Sequence, residues 1–187
     1  MTILGMNRRN ALIARLNRRE AIKGVNQKFE TKERLAAAGV PVPRTLALIA
    51  DEGEAAEFDF ASLPDAFAIK PNRGRRGEGV ILVNGRCEGG WRKLSGEVLT
   101  IAMLRAHITR ILAGELSLEG GNCDTALIEP LIRTHPDFAR LVPFGLPDIR
   151  IICLGDVPLM AMTRLPTEES RGRANLHQGA VGAAIDF

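Results

Sequence analysis

Residues 68–83 read AIKPNRGRRGEGVILV: a lysine after two apolar residues, three glycines among three arginines, then four aliphatic residues. The runs at 67–70 and 80–83 are β-type and flank the glycine segment. Together they predict an antiparallel hairpin with a long cationic loop.

Outward from that hairpin the same logic recurs. A second hairpin is predicted over 148–165, turning at Gly155-Asp156. In its first strand Asp148, Arg150 and Ile152 share one face, and Ile149, Ile151 and Cys153 the other. Residues 125–132 (TALIEPLI) read as a buried strand entering a proline-bent connector. Residues 7–38 are predicted helical with a break near Gly24. In the later half Phe29, Leu35 and Ala36 are expected to face inward, with Gly39 as a left-handed stop. Two prolines force 40–49 to be extended, and 51–65 reads as a short acidic helix or surface loop. Over 100–114, Ile101, Leu104, Ile108, Ile111 and Leu112 recur at helical spacing, and Gly114 ends the helix. Strands in antiparallel pairs with helices against them make the class α+β. A doubly wound fold would alternate single strands with helices, and this chain does not.

Bulk composition narrows the function. The 187 residues are 45% hydrophobic, enough for one domain or two small lobes. Tyr is absent and Trp occurs once, so a base-stacking surface is poorly supplied. A net charge of +3 suits a phosphate-bearing small ligand as well as a nucleic acid. Twenty-two scattered acids and 4% aromatics rank a nucleic-acid partner lowest. Cys87, Cys123 and Cys153 are far apart and form no metal or disulfide pattern, so a reduced, cytoplasmic setting is expected. No apolar run approaches membrane-span length. Five arginines precede Glu20. A transit peptide or membrane-surface helix competes there with a solvated basic helix, and the short apolar stripe favours the last.

The glycine segment fits no common phosphate loop. A P-loop needs Lys-Ser/Thr after its last glycine, but Val80 and Ile81 follow Gly79. The dinucleotide fingerprint needs the opposite glycine spacing and a following helix. A kinase loop has different spacing and places its lysine after the loop. What remains is a strand–loop–strand whose peptide N–H groups can turn toward phosphate oxygens. Glycine permits that close approach, and Lys70 acts as a point charge at the leading strand's end. On the loop alone, a solvated hairpin tip is the favoured reading.

Six stretches in order change that balance. MNRRNALI, NQKFETKERLAAAGVPVP, FAIKPNRGRRGEGVILV, ALIEPLI, PDIRIICLGDVPLMAMTRLPT and RANLHQGAVGAAID together resemble the ATP-grasp superfamily. Within it they resemble the α-L-glutamate ligase-related proteins. The resemblance implies two small α+β lobes of antiparallel sheet with ATP between them. It suggests an N-terminal segment at 1–45, a first lobe at 46–128 and the start of a second at 129–187. By resemblance, Lys28 and Lys70 meet the nucleotide, and Gly74, Gly77 and Gly79 fold over its phosphates. Glu129, Pro130, Leu131 and Ile132 form the connector at the adenine edge, with Asp148 on the strand after it. Arg150, Arg164 and Asn175 take catalytic positions, and Arg164, Asn175 and His177 line the acceptor side. The implied reaction joins a carboxylate to an amine through an acyl phosphate, with ATP as co-substrate.

Each residue has a plain alternative. Lys28 suits a solvated helix face, Glu129 a strand end, and Asp148 with Arg150 a surface ion pair. His177 suits a loop bonded to backbone, Arg164 a snorkelling strand end, and His107 an ordinary helix residue. Two departures from the family pattern stand out. Arg75 and Arg76 replace the usual small residues of the loop. The family's Mg²⁺ ligands, an aspartate and a Glu-x-Asn pair, are not matched, and the chain ends in an apolar, strand-like run with an open edge. A truncated ligase with impaired turnover is therefore expected, with a non-catalytic nucleotide-binding module as the alternative.

Overall fold

The structure, a computed structural model, describes residues 5–74, 77–117, 123–143 and 145–186. Arg75 and Arg76 lie outside the described residues. The chain divides into two compact units, Met1–Leu131 and Ile132–Phe187.

The first unit opens with helices α1 (Met6–Leu16), α2 (Arg19–Val25) and α3 (Lys28–Ala37). Strand β1 (Ala47–Ile49), helix α4 (Glu52–Glu57) and a 3₁₀ turn at Phe60–Ser62 follow. Then come β2 (Phe67–Pro71), β3 (Ile81–Cys87), β4 (Gly90–Lys93), β5 (Val98–Leu99), α5 (Ile101–Leu112) and β6 (Ala126–Pro130). The sheet runs β1-β6-β2-β3-β4-β5, and every neighbouring pair is antiparallel. The hairpin around the glycine segment is therefore β2–β3, as the sequence predicts.

Strand β6 comes last in this unit and inserts between β1 and β2. That register sets Ala68 opposite Glu129 and Lys70 opposite Leu127. Along β2, Phe67, Ile69 and Pro71 are buried, while Ala68 and Lys70 take the other face. Phe67 and Ile69 join Ile128, Val83, Trp91 and the buried side of α5 in the main core. Helix α5 buries Leu104, Ile108, Ile111 and Leu112, and Thr100 caps it by accepting from the Met103 N–H. Ile101, expected in that stripe, is 43% exposed because it begins the helix at the rim of the core.

Helix α3 follows the expected inward face only in its first half, where Phe29 is half-buried. Leu35 is 40% exposed and Ala36 is exposed, whereas Lys32 is buried. The sheet face it meets carries Glu129, so an ammonium has a partner there that a leucine would not. Gly39 ends the segment with a positive φ, as expected.

The second unit comprises α6 (Pro136–Leu141), β7 (Asp148–Leu154), β8 (Val157–Leu165), a 3₁₀ turn at Leu176–Gln178 and β9 (Val181–Ile185). Its sheet is β7-β8-β9, antiparallel throughout. The terminal apolar run thus finds a partner in β8. Both faces of β7 are exposed beyond Asp148, so alternation there does not divide core from solvent. No helix among the described residues is long and apolar enough to cross a membrane.

Candidate functional site

The site begins with the alternation of β2, which turns Lys70 away from the main core and toward Glu129 of β6. The Glu129 carboxylate takes one ammonium on each oxygen. Oε1 accepts from Lys32 at 2.5 Å, and Oε2 pairs with Lys70. Lys32 also donates to the Thr45 hydroxyl at 2.9 Å. Glu129 is 3% and Lys32 7% exposed, so neither could be buried alone as an ion without a large penalty. The Lys70 side chain keeps 26% exposure. With one carboxylate partner among the described residues, two of its three ammonium protons are available to a ligand.

Four residues upstream of Lys32, Lys28 sits one helical turn away and faces the end of β2. Its Nζ donates to the carbonyls of Pro71 at 2.9 Å, Asn72 at 3.2 Å and Gly74 at 2.5 Å. Burial, and next the Lys70 charge, lower its pKa from 10.5 to about 8, against the pull of Asp124 and Glu129. The amides of this turn are also engaged. Asn72 N–H donates to Thr125 O, Arg73 N–H to both Asp124 oxygens, and Gly74 N–H to Pro71 O. Asn72 Oδ1 accepts from the Phe29 N–H, and Asp124 further accepts from Ser117 and the Thr125 N–H. The opening of the glycine segment is therefore rigid, and any amide it offers to a ligand must come from beyond Gly74.

The far end of the segment is held separately. His107 of α5 bonds through Nε2 to Gly79 O at 2.9 Å. A carbonyl only accepts, so Nε2 carries the proton. Burial lowers the His107 pKa more than the Gly79 bond raises it, so the neutral ring is favoured. Glycine is required on steric grounds at two places. A Cβ on Gly74 would overlap the Pro71 ring, and one on Gly79 would come within 2.9 Å of Leu116 Cβ. Gly77 and Gly79 also have φ of 75° and 69°. Gly79→Ala is expected to cost about 1–3 kcal/mol through strain and overlap. A urea titration would register this as a lower midpoint with unchanged slope, and an unchanged midpoint would contradict it.

The other sequence-predicted residues stand as follows. Pro130 pairs with Phe67, Leu131 N–H donates to Ala66 O at 3.3 Å, and Ile132 is exposed at the start of the second unit. Asp148 does not pair along its own strand with Arg150. It forms a two-pronged pair across the hairpin with Arg164, whose Nε donates to Oδ1 at 2.6 Å and whose Nη2 meets Oδ2. That hydrogen bonding raises the Arg164 pKa. Arg150 is exposed opposite Met162. Asn175 caps the 3₁₀ turn by accepting from the His177 N–H, and His177 is exposed. An open cavity of about 350 Å³ lies beside Asp148, lined by Phe138, Leu146, Pro147, Ile149 and Thr163 among others.

The structure thus gathers Lys28, Lys70, Gly74 and Glu129 at the end of β2, and separately joins Asp148 to Arg164. Sequence reasoning missed Lys32, Asp124 and His107 as partners of this machinery. The four-residue spacing of Lys28 and Lys32 was the available signal for the first. Lys70, with ammonium protons to give beside a glycine segment in which Gly74 and Gly79 have no room for a Cβ, suits an anionic group such as a phosphate. Among the described residues no group of three His, Cys, Asp or Glu side chains is arranged to hold a metal ion.

Residues 7–187 match the family described as sugar-transfer associated ATP-grasp. No curated protein and no solved structure matches the chain. The match spans both units and the whole glycine segment. With so much of its length matched, the chain belongs to the sugar-transfer associated ATP-grasp family, whose function at the coarse level is ATP-dependent and ligase-type.

Proposed function

We propose that this chain joins a carboxylate to an amine using ATP, through an acyl phosphate, as the α-L-glutamate ligase-related proteins would. The observation that carries the reading is Lys70, held in place by Glu129 yet with donors to spare, beside a glycine segment. A substrate carboxylate oxygen attacks the γ-phosphorus, and the bond from that phosphorus to the β,γ-bridging oxygen breaks to release ADP. The amine nitrogen then attacks the acyl carbon, the carbon–oxygen bond to phosphate breaks, and the amine proton passes to solvent. Neither step needs a protein nucleophile. Both need charge neutralisation and positioning, which lysines and glycine amides supply.

In this reading Lys70, Gly77 and Gly79 meet the phosphates, and Glu129 to Ile132 supply the adenine edge. Arg150, Arg164, Asn175 and His177 serve the acyl and acceptor groups, with Asp148 orienting Arg164. Mg²⁺ accompanies ATP from solution, and no step here depends on a protein ligand to it. The family description associates these proteins with sugar transfer. Uronic acids and amino sugars therefore stand beside glutamate as the first carboxylates and amines to try.

Hydroxylamine trapping tests the mechanism. With ATP, a carboxylate panel and hydroxylamine, the expected products are ADP and a hydroxamate in equal amounts. ADP formed without hydroxamate from any carboxylate would contradict the acyl phosphate. ATP bound without turnover would reassign the chain as a nucleotide-binding module.

A further inference from the structure

We infer that Lys28 is a positioning residue that staples the opening of the glycine segment from beneath, rather than a ligand of the phosphates. An ammonium has three N–H donors, and Lys28 directs all three at carbonyls, those of Pro71, Asn72 and Gly74. Its own backbone N–H donates to the same Asn72 oxygen at 3.2 Å. The next residue's N–H takes the Asn72 side chain at 2.8 Å. The first turn of α3 and the end of β2 are thereby one hydrogen-bonded unit. Lys28 has no donor left for a phosphate unless it abandons the turn.

The division of labour among the lysines follows. Lys32 is committed to Glu129 and Thr45, Lys28 to the turn, and Lys70 alone faces outward with protons to give. The staple fixes where the segment leaves β2, while His107 fixes Gly79 at the other end. Gly77 lies between these anchors, and positive φ values at Gly77 and Gly79 let their peptides turn. The inference therefore deepens the nucleotide reading and rests on it for its effect on ATP affinity. The staple itself does not depend on that reading.

The device is sensitive to pH. The groups facing Lys28 are Lys70 on β2, Asp124 before β6 and Glu129 on β6. Burial and Lys70 bring its titration down to about 8. A neutral amine has two N–H groups for three carbonyls, so the turn loses a bond as pH rises through that value. Global stability moves the other way. Between about 8 and 10.5 the unfolded chain binds the extra proton, so rising pH favours the fold while it loosens the turn.

Backbone amide exchange on the nucleotide-free protein separates these readings. In Lys28→Met at pH 7, the amides of Asn72, Arg73 and Gly74 are expected to exchange at least ~10-fold faster, with those of α5 unchanged. Lys28→Arg, which keeps a charged multi-donor head, is expected to recover part of that protection. Unchanged exchange at 72–74 in Lys28→Met would overturn the staple and return Lys28 to the phosphates. Should Lys28→Met fail to fold, wild type decides the matter. Corrected for intrinsic rates, its turn should open more readily at pH 9 than at pH 7 while α5 does not, and a flat profile would overturn the inference. ATP titrations at the same two pH values should weaken in wild type and not in Lys28→Arg. Wild type that binds no ATP at either pH would sink the nucleotide reading alone, because the exchange result stands without it.

Discussion

Glu129→Ala is expected to destabilise the first unit by about 3–5 kcal/mol, the range for removing one partner of a buried ion pair. The loss of a surface salt bridge would cost no more than about 1 kcal/mol. The larger figure applies because Lys32 is 7% exposed and would be left as an ammonium with only the Thr45 hydroxyl to bond. Glu129→Met combined with Lys32→Met is expected to lose far less, since an apolar pair of similar size often replaces a buried ion pair at little cost. Urea melts of the two variants and the wild type test this. A single variant within about 0.5 kcal/mol of wild type would contradict the buried triad, since that is the range of ordinary surface substitutions.

Lys70→Met is expected to act on the ligand more than on the fold. Glu129 keeps Lys32 on Oε1 but loses the partner of Oε2, so the fold should lose about 1–3 kcal/mol, less than in Glu129→Ala. Hydrogen bonds to charged groups contribute about 1.5–3 kcal/mol each. Losing the Lys70 ammonium should then weaken ATP roughly 10- to 100-fold. Calorimetric titration alongside a thermal melt checks both halves. A melt that collapses while ATP affinity holds would show that Lys70 is structural.

The contrast between these two lysines explains what the sequence could and could not reveal. The β2–β3 hairpin was legible because glycine permits the required φ values and β-type residues flank it. The hairpin of β7 and β8 was legible for the same reason, at Gly155. Strands β4 and β5 were not, since GWRK and VL are too short to carry a period. Helix α3 misled because the usual rule buries leucine before lysine. That rule fails where the facing strand carries a carboxylate, and nothing local to α3 announces a Glu129 almost a hundred residues away. Asp124 was hidden similarly, because its partners are backbone amides of Arg73 and Thr125. His107 reads as one more helix residue until the fold brings Gly79 to its ring. Asp148 and Arg150 share a face as alternation demands, yet the cross-strand register delivers Arg164 to Asp148 instead.

The proposed function requires phosphate recognition at the end of β2. The most direct measurement of that requirement is the affinity of the wild-type protein for ATP, ADP and adenosine under one buffer, repeated with Lys70→Met. If Lys70 and the glycine segment hold the phosphates, ATP binds at least ~10-fold more tightly than adenosine, and Lys70→Met removes most of that difference. Equal affinities for ATP and adenosine in the wild type, or a phosphate dependence untouched by Lys70→Met, would contradict it.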